Sequence, residues 1–387
     1  MFFTSFFLGS NLDLIAVSSS ILSILDPNLT DWWIELIDLG LPISDISILC
    51  CTGQLMETMH TSSSKPWWSK DTIAVVTGAN KGLGFEIVRL LAEQGLTVVL
   101  TARDSGKGQE AVDELKKDGQ KSVCFHQLDV ESKESVETIA AWLKSKFGGI
   151  DILVNNAGVA FGPKGESGHN EIAKAIIETN YYGVKNVTEG LLPLLRKSPS
   201  AARIVNVTAG LGLYERLRSD TLKQKFKDYE SLRIMKFKDY EKYTQELIDS
   251  LVTKFLEDVK ADRSGEEWME GEVAVSGLYG VSKIFLSAYS ILLARTLSEL
   301  QPEDHQILVT TFTPGLTDTD MMKRGIEEGS QAIKDRYKVA GGFKPKTAAE
   351  GADTGVWLAL LPKEELMEKN GKFFYNRKEF SFGALRI

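Results

Sequence analysis

Tyr279 and Lys283 stand four residues apart, so on a helix they share one face. An isolated tyrosine titrates near 10. A neighbouring ammonium favours the phenolate and pulls that value down, so the pair reads as a proton donor or acceptor beside its tuning cation. The other reading is an exposed pair of no chemical consequence. A second constellation lies upstream, where the apolar run Ile73–Thr77 leads into Gly78-Ala79-Asn80-Lys81-Gly82-Leu83-Gly84 and an amphipathic stretch follows. A strand, a glycine-rich turn and a helix N-terminus make an anion site, because glycine lets the backbone approach a pyrophosphate and the first helical N–H groups face it. Glycines alone would equally mark a structural turn. The strand before and the helix after favour a dinucleotide site formed by Gly78, Asn80, Lys81, Gly82, Leu83 and Gly84.

The next apolar run ends Leu100-Thr101-Ala102-Arg103. An NAD site offers an acid about 20 residues past the loop, whereas an arginine there suits a 2′-phosphate. Arg103, with Lys81, therefore favours NADP(H) over NAD. The alternative is that Arg103 merely pairs with Asp104 beside it.

The elements that must position these residues are legible from Asp71 onward. Ile73–Thr77, Thr97–Thr101, Ser122–Leu128, Ile150–Asn155, Arg203–Thr208, Gln306–Phe312 and Gly371–Tyr375 read as buried strands. Gly82–Gln94, Glu134–Phe147 and Thr347–Leu361 show helical spacing. About seven strands alternating with helices predict an α/β fold, a doubly wound parallel sheet in one Rossmann domain over residues 71–387. A charged, helix-prone insertion at residues 213–278 interrupts the alternation. Inside it Lys225–Glu230 (KFKDYE) recurs at Lys236–Glu241. A single repeat is no array architecture and reads as a local duplication without functional content. Residues 1–70 read as a poorly ordered or non-native extension, with Met56 and Met59 as plausible starts.

Composition narrows the function classes. Seven of the 53 acids and no Lys or Arg precede Lys65, which leaves 45 basic against 46 acidic side chains in the rest. A nearly neutral body gives no electrostatic reason to bind nucleic acid or an acidic membrane. No apolar run in residues 1–64 reaches the roughly 18 residues of a membrane span. That segment also lacks the basic start of a secretory signal and the arginines of a transit peptide. Cys50, Cys51 and Cys124 suggest no disulfide framework, and the four scattered histidines suggest no metal site. A reducing, cytoplasmic setting is expected.

With these motifs in place the chain resembles the short-chain dehydrogenase/reductase family over residues 71–387. Thr77 to Gly84 (TGxxxGxG), Asn155-Asn156-Ala157-Gly158 after a strand, and Tyr279-x-x-x-Lys283 occur in that family's order. The long segment before Tyr279 is similar to that of the monomeric plant subgroup of menthone, neomenthol and salutaridine reductases and of mammalian carbonyl reductase. In that subgroup it is expected to cover the surface other members use to oligomerise. The resemblance implies that Asp129 and Val130 contact the adenine and that Asn156, Ala157 and Gly158 back the adenosine ribose. It implies that Pro314, Gly315, Leu316, Thr317 and Thr319 hold the nicotinamide amide and the nearby phosphate. Tyr279 becomes the acid or base, and Lys283 tunes it while gripping the nicotinamide ribose. Asn180, in Thr179-Asn180-Tyr181-Tyr182-Gly183, matches the helix asparagine that carries a proton-relay water.

One position departs from the family pattern Asn-Val-Ser-Ser-x-x-Gly, whose second serine hydrogen-bonds the substrate carbonyl. Here the chain reads Asn206-Val207-Thr208-Ala209-Gly210-Leu211-Gly212, so Ala209 replaces that serine. Thr208 is a poor substitute, since neighbouring strand residues point to opposite faces. Loss of one such donor costs about 10²–10³ in rate. The expectation is a monomeric NADPH-dependent enzyme interconverting small hydrophobic ketones or aldehydes and their alcohols. The rival is an NADP-binding paralogue with little or no catalysis.

Overall fold

Runs of Val, Ile and Leu without polar alternation suit strands buried on both faces, and the chain uses them so. The computed structural model describes residues 66–162, 168–232, 243–269, 275–302, 305–328 and 344–382. Its sheet has the order β3-β2-β1-β4-β5-β6-β7-β8. The strands are β1 (Ile73–Val76), β2 (Thr97–Ala102), β3 (Val123–Gln127), β4 (Ile152–Asn155), β5 (Ala202–Val207), β6 (Ile307–Phe312), β7 (Phe373–Tyr375) and β8 (Lys378–Phe380). The first seven are parallel and match the seven expected runs. The eighth is an addition, antiparallel to β7 with Tyr375 opposite Lys378. Asn376 and Arg377 make the turn between them, with φ of 50° and 60°, the left-handed pair that a tight two-residue hairpin demands.

Strand order reverses between β1 and β4, and ligands of such sheets bind at the carboxyl ends beside that switch. Helices α1 (Gly82–Glu93), α2 (Ser105–Lys117) and α3 (Lys133–Phe147) follow the first three strands. After β4, α4 (His169–Ile177) runs through a π-helical turn (Glu178–Gly183) into α5 (Val184–Leu191). The later helices are α6 (Asp220–Ser231), α7 (Gln245–Lys260), α8 (Val275–Leu300), α9 (Asp320–Glu328), α10 (Ala348–Leu360) and α11 (Lys363–Met367). The apolar segment Gly277–Leu300 of α8 is long enough to cross a membrane. It serves instead as a core helix, its Val281, Ile284, Phe285 and Ala288 buried.

The insertion contributes α6, α7 and the first residues of α8. Phe226, Tyr229, Phe255 and Trp268 from it are buried in one cluster with Tyr181 and Phe285. The first KFKDYE copy is therefore core, with Phe226 and Tyr229 buried, and Glu230 accepts from the Tyr214 hydroxyl and from Ser381 and Phe382. The second copy lies outside the described residues.

Packing begins slightly before the expected boundary at Asp71. Trp67 donates its indole N–H to the Leu360 carbonyl at 2.9 Å, and its ring lies 3.6 Å from the buried Arg203 guanidinium. Trp68 donates to the Gln94 carbonyl at 3.2 Å. The compact unit thus starts at Trp67. Residues 1–65, expected as an extension, lie outside the described residues.

Candidate active site

The glycine-rich turn after β1 is shaped by close backbone approach. Gly78 sits at φ +60°, and a Cβ there would come within 2.8 Å of the Ala157 Cα. A Cβ on Gly84 would strike the Asn156 amide nitrogen at 2.4 Å and the Gly78 carbonyl at 2.8 Å. Gly82, at φ +59°, leaves room for a Cβ in ordinary contact with the Thr319 methyl, 3.7 Å away. Thr77, the first residue of the motif, to which sequence reasoning assigned no role, ties this turn to the loop after β4: its hydroxyl accepts from the N–H groups of Asn156 and Ala157. Asn156 returns two bonds to the carbonyls of Thr77 and Gly78.

Helix α1 has Lys81 at its N-cap position, with no side-chain cap and no acid in its first turn. In contrast, α2, α3, α6, α7 and α10 are each capped by a side chain. An uncapped helix N-terminus at the end of β1, beginning at a left-handed glycine, fits a phosphate group. The Lys81 ammonium instead pairs with Asp320 at 2.7 Å, both largely exposed. Arg103 is exposed just past β2 and has no acidic partner among the described residues. Asp104, its expected local partner, caps α2 through the Lys107 N–H and faces the Lys107 ammonium. Local pairing does not occupy Arg103.

The remaining expected cofactor residues lie on the same edge. Asp129 and Val130 follow β3, and Val130 packs where a Cβ on Gly183 would reach 2.7 Å. Pro314, Gly315, Leu316, Thr317 and Thr319 follow β6. Gly315 is at φ +74° under the Tyr375 ring, and the Thr317 hydroxyl lies against the carbonyls of Pro314 and Gly315. Thr313, also missed in the sequence, braces two loops by accepting from the N–H groups of Gly210 and Gly315.

Tyr279 and Lys283 lie on α8 as the spacing predicts, with the Lys283 nitrogen 5.6 Å from the Tyr279 ring centre. Lys283 is 2 % exposed. Its ammonium donates to the Val207 carbonyl at 2.9 Å and lies 3.5 Å from the Cβ that Gly158 lacks. Burial holds Lys283 down to about 7 and pushes the Tyr279 phenol up. That is opposite to the depression expected from a neighbouring ammonium. The physical reason is desolvation, which disfavours the charged form of both groups and outweighs a cation at this distance.

Asn180 sits inside the π-helical turn and is fully buried. Its side-chain oxygen accepts from the Val159 N–H at 2.8 Å. Its nitrogen donates to the Val159 carbonyl at 2.8 Å and to the Ser282 hydroxyl at 3.0 Å. Ser282 in turn donates to the Tyr279 carbonyl at 2.7 Å. Side-chain groups of Asn180 are thus committed to protein partners. Ala209 is half-buried in the turn closed by its own carbonyl and the Gly212 N–H. The Thr208 hydroxyl is buried and directed at the Phe312 carbonyl, 3.2 Å away, so it faces the sheet rather than the cleft.

The fold and these motifs have known counterparts. The sequence profile of the short chain dehydrogenase family matches residues 72–219. Short-chain dehydrogenase/reductase 1 of Saponaria officinalis is 36% identical over 329 residues, covering 79% of this chain and 94% of that protein. Carbonyl reductase [NADPH] 1 of Rattus norvegicus is 36% identical over 292 residues, covering 75% of this chain and 91% of its own length. The structure of salutaridine reductase from Papaver somniferum superimposes with a TM-score of 0.62 at 33% identity, covering 79% of this chain and 99% of that one. A glycine-rich turn on β1, a Tyr-Lys pair on the helix before β6 and relatives aligned over nearly their whole length converge, and the chain belongs to the short-chain dehydrogenase/reductase family.

Proposed function

We propose that this protein is an NADP(H)-dependent reductase that interconverts small hydrophobic ketones or aldehydes and their alcohols. The observation that carries the reading is the buried Lys283 beside Tyr279, a cation that pays heavily for desolvation and has no acidic partner among the described residues. Hydroxyl groups brought against it would return hydrogen bonds to its remaining N–H donors. The open α1 N-terminus and Gly82 would hold the pyrophosphate, and Arg103 with Lys81 the 2′-phosphate, which supports NADP(H) over NAD. When bound, the nicotinamide supplies the hydride chemistry.

The chain's own residues then position the carbonyl and move one proton. Tyr279, kept protonated by burial, is competent to donate to the oxygen of a ketone, which supports the reducing direction at neutral pH. Asn180 and Ser282 hold the Val159 backbone and the Tyr279 turn of α8. The Met269 side chain lies against Gly280, next to Tyr279, and this apolar neighbour supports a hydrophobic substrate. The packing of α7 against α4 and α8 supports a monomer, as the insertion lies over these helices. A reducing, cytoplasmic setting is part of the proposal. Screening NADPH oxidation against monoterpene ketones and aldehydes tests it: turnover of several members with NADPH is expected, and no turnover of any would overturn it. Ala209, with Thr208 turned away, favours a second reading, an NADP-binding paralogue with little catalysis. Normal NADPH binding without turnover would establish that reading.

A further inference from the structure

The π-helical turn Glu178–Gly183 reaches several parts of the site through successive residues. Thr179 donates its hydroxyl to Glu131, just past the expected adenine contacts. Asn180 holds Val159 and Ser282, as described above. Gly183 lies against Val130. Tyr181, which is fully buried, points the other way, into the insertion. Its hydroxyl donates to the Asp249 carboxylate at 2.7 Å and accepts from the Gln245 amide at 2.6 Å. Asp249 is held in turn by the Lys185 ammonium at 3.0 Å.

We propose that Asp249, on the insertion helix α7, is a positioning residue for the active site: through Tyr181 it fixes the π-helical turn from which Asn180 holds Val159 and the Tyr279 segment of α8. A π turn accommodates one residue more than the α-helix on either side of it. Relaxation to α geometry would rotate the side chains within it by about 100° per residue displaced. Asn180 would then leave Val159 and Ser282. The buried Tyr181 hydroxyl resists this shift because it has its acceptor only while the turn stands. The insertion therefore takes part in ordering the site, in addition to covering a surface.

This inference rests on the reductase reading for its kinetic arm, so its test carries a second arm independent of turnover. The same helix offers a matched control. Asp258 clamps Lys254, Arg263 and the Trp268 indole without touching the π turn. In the full chain, Asp249→Ala and the milder Tyr181→Phe are expected to speed amide hydrogen exchange at least tenfold in peptides covering 155–162 and 178–185. They should lower kcat at least fivefold and leave the KM for NADPH within twofold. Asp249→Asn, which keeps an acceptor for Tyr181, should restore both. Asp258→Ala should lower the thermal midpoint and loosen 254–268 without either effect. Unchanged exchange at 155–162 and 178–185 in both Asp249→Ala and Tyr181→Phe would overturn the inference even if no substrate is found. So would an equal loss of kcat in Asp258→Ala. Loosened exchange in a protein that turns over no carbonyl would uphold the coupling and sink the reductase reading alone.

Discussion

Replacing Lys283 with methionine should make the cofactor-free protein more stable at neutral pH, because the wild type keeps a cation in a place that disfavours charge. Burial lowers Lys283 from its ordinary 10.5 to about 7. That gap corresponds to about 5 kcal/mol of folding free energy, order of magnitude, at pH 7 and below. Methionine removes this penalty but leaves the Val207 carbonyl without its 2.9 Å donor, at a cost of about 1–3 kcal/mol. The net expectation for Lys283→Met at pH 7 is a gain of about 2–4 kcal/mol. The sign of the pH dependence follows from the depressed folded-state value. Between about 7 and 10.5 the unfolded chain binds a proton that the folded chain does not. Wild-type stability therefore rises with pH relative to the variant, by about 1.4 kcal/mol per unit, and the difference is flat below 7. Urea unfolding of both proteins without cofactor, from pH 6 to pH 10, reads this directly. A variant less stable than wild type at pH 7, or a stability difference independent of pH, would refute the desolvation argument.

Substitutions at three other positions probe separate parts of the molecule. Restoring the hydroxyl by Ala209→Ser should raise kcat/KM about 10- to 1,000-fold with little change in NADPH affinity; steady-state kinetics would show no gain if another donor already serves the carbonyl. NADPH should bind at least tenfold more tightly than NADH, about 1.4 kcal/mol, and Arg103→Glu should narrow or invert that preference in a fluorescence titration. Trp67→Ala should destabilise the fold by at least about 2 kcal/mol, because a desolvated cation–π contact over Arg203 is lost. Trp67→Phe should recover part of that loss, and an unchanged melting midpoint in Trp67→Ala would count against it.

Many of the expected cofactor and substrate residues were legible because they sit where a strand ends and the chain must turn. Gly78, Arg103, Asn156, Ala209 and Pro314 follow five strands rich in Val, Ile and Leu, and Asp129 follows β3, whose Val-Cys-Phe-His-Gln is less plain in the sequence. The eighth strand escaped because Lys-Glu-Phe has no apolar run; only Asn376, at the left-handed turn, announces it. The start of packing was placed too late because Trp67 lies outside any periodic segment and is recruited by a distant partner, Arg203. Spacing placed Tyr279 and Lys283 on one helix face but could not reveal that Lys283 would be buried and the half-buried Tyr279 phenol desolvated, which reverses the expected direction for the phenol. The π-helical turn around Asn180 was also invisible, since it depends on Val159, Ser282 and Asp249 arriving from three other segments.

The reductase reading stands most directly on Tyr279 as the proton donor. The decisive comparison is kcat/KM for NADPH-dependent reduction of a hydrophobic ketone by wild type and by Tyr279→Phe, alongside the NADPH dissociation constant of each. Loss of the general acid should cost about 10²–10⁴ in rate and leave cofactor affinity within a few-fold. A Tyr279→Phe protein that reduces the ketone as fast as wild type would contradict it.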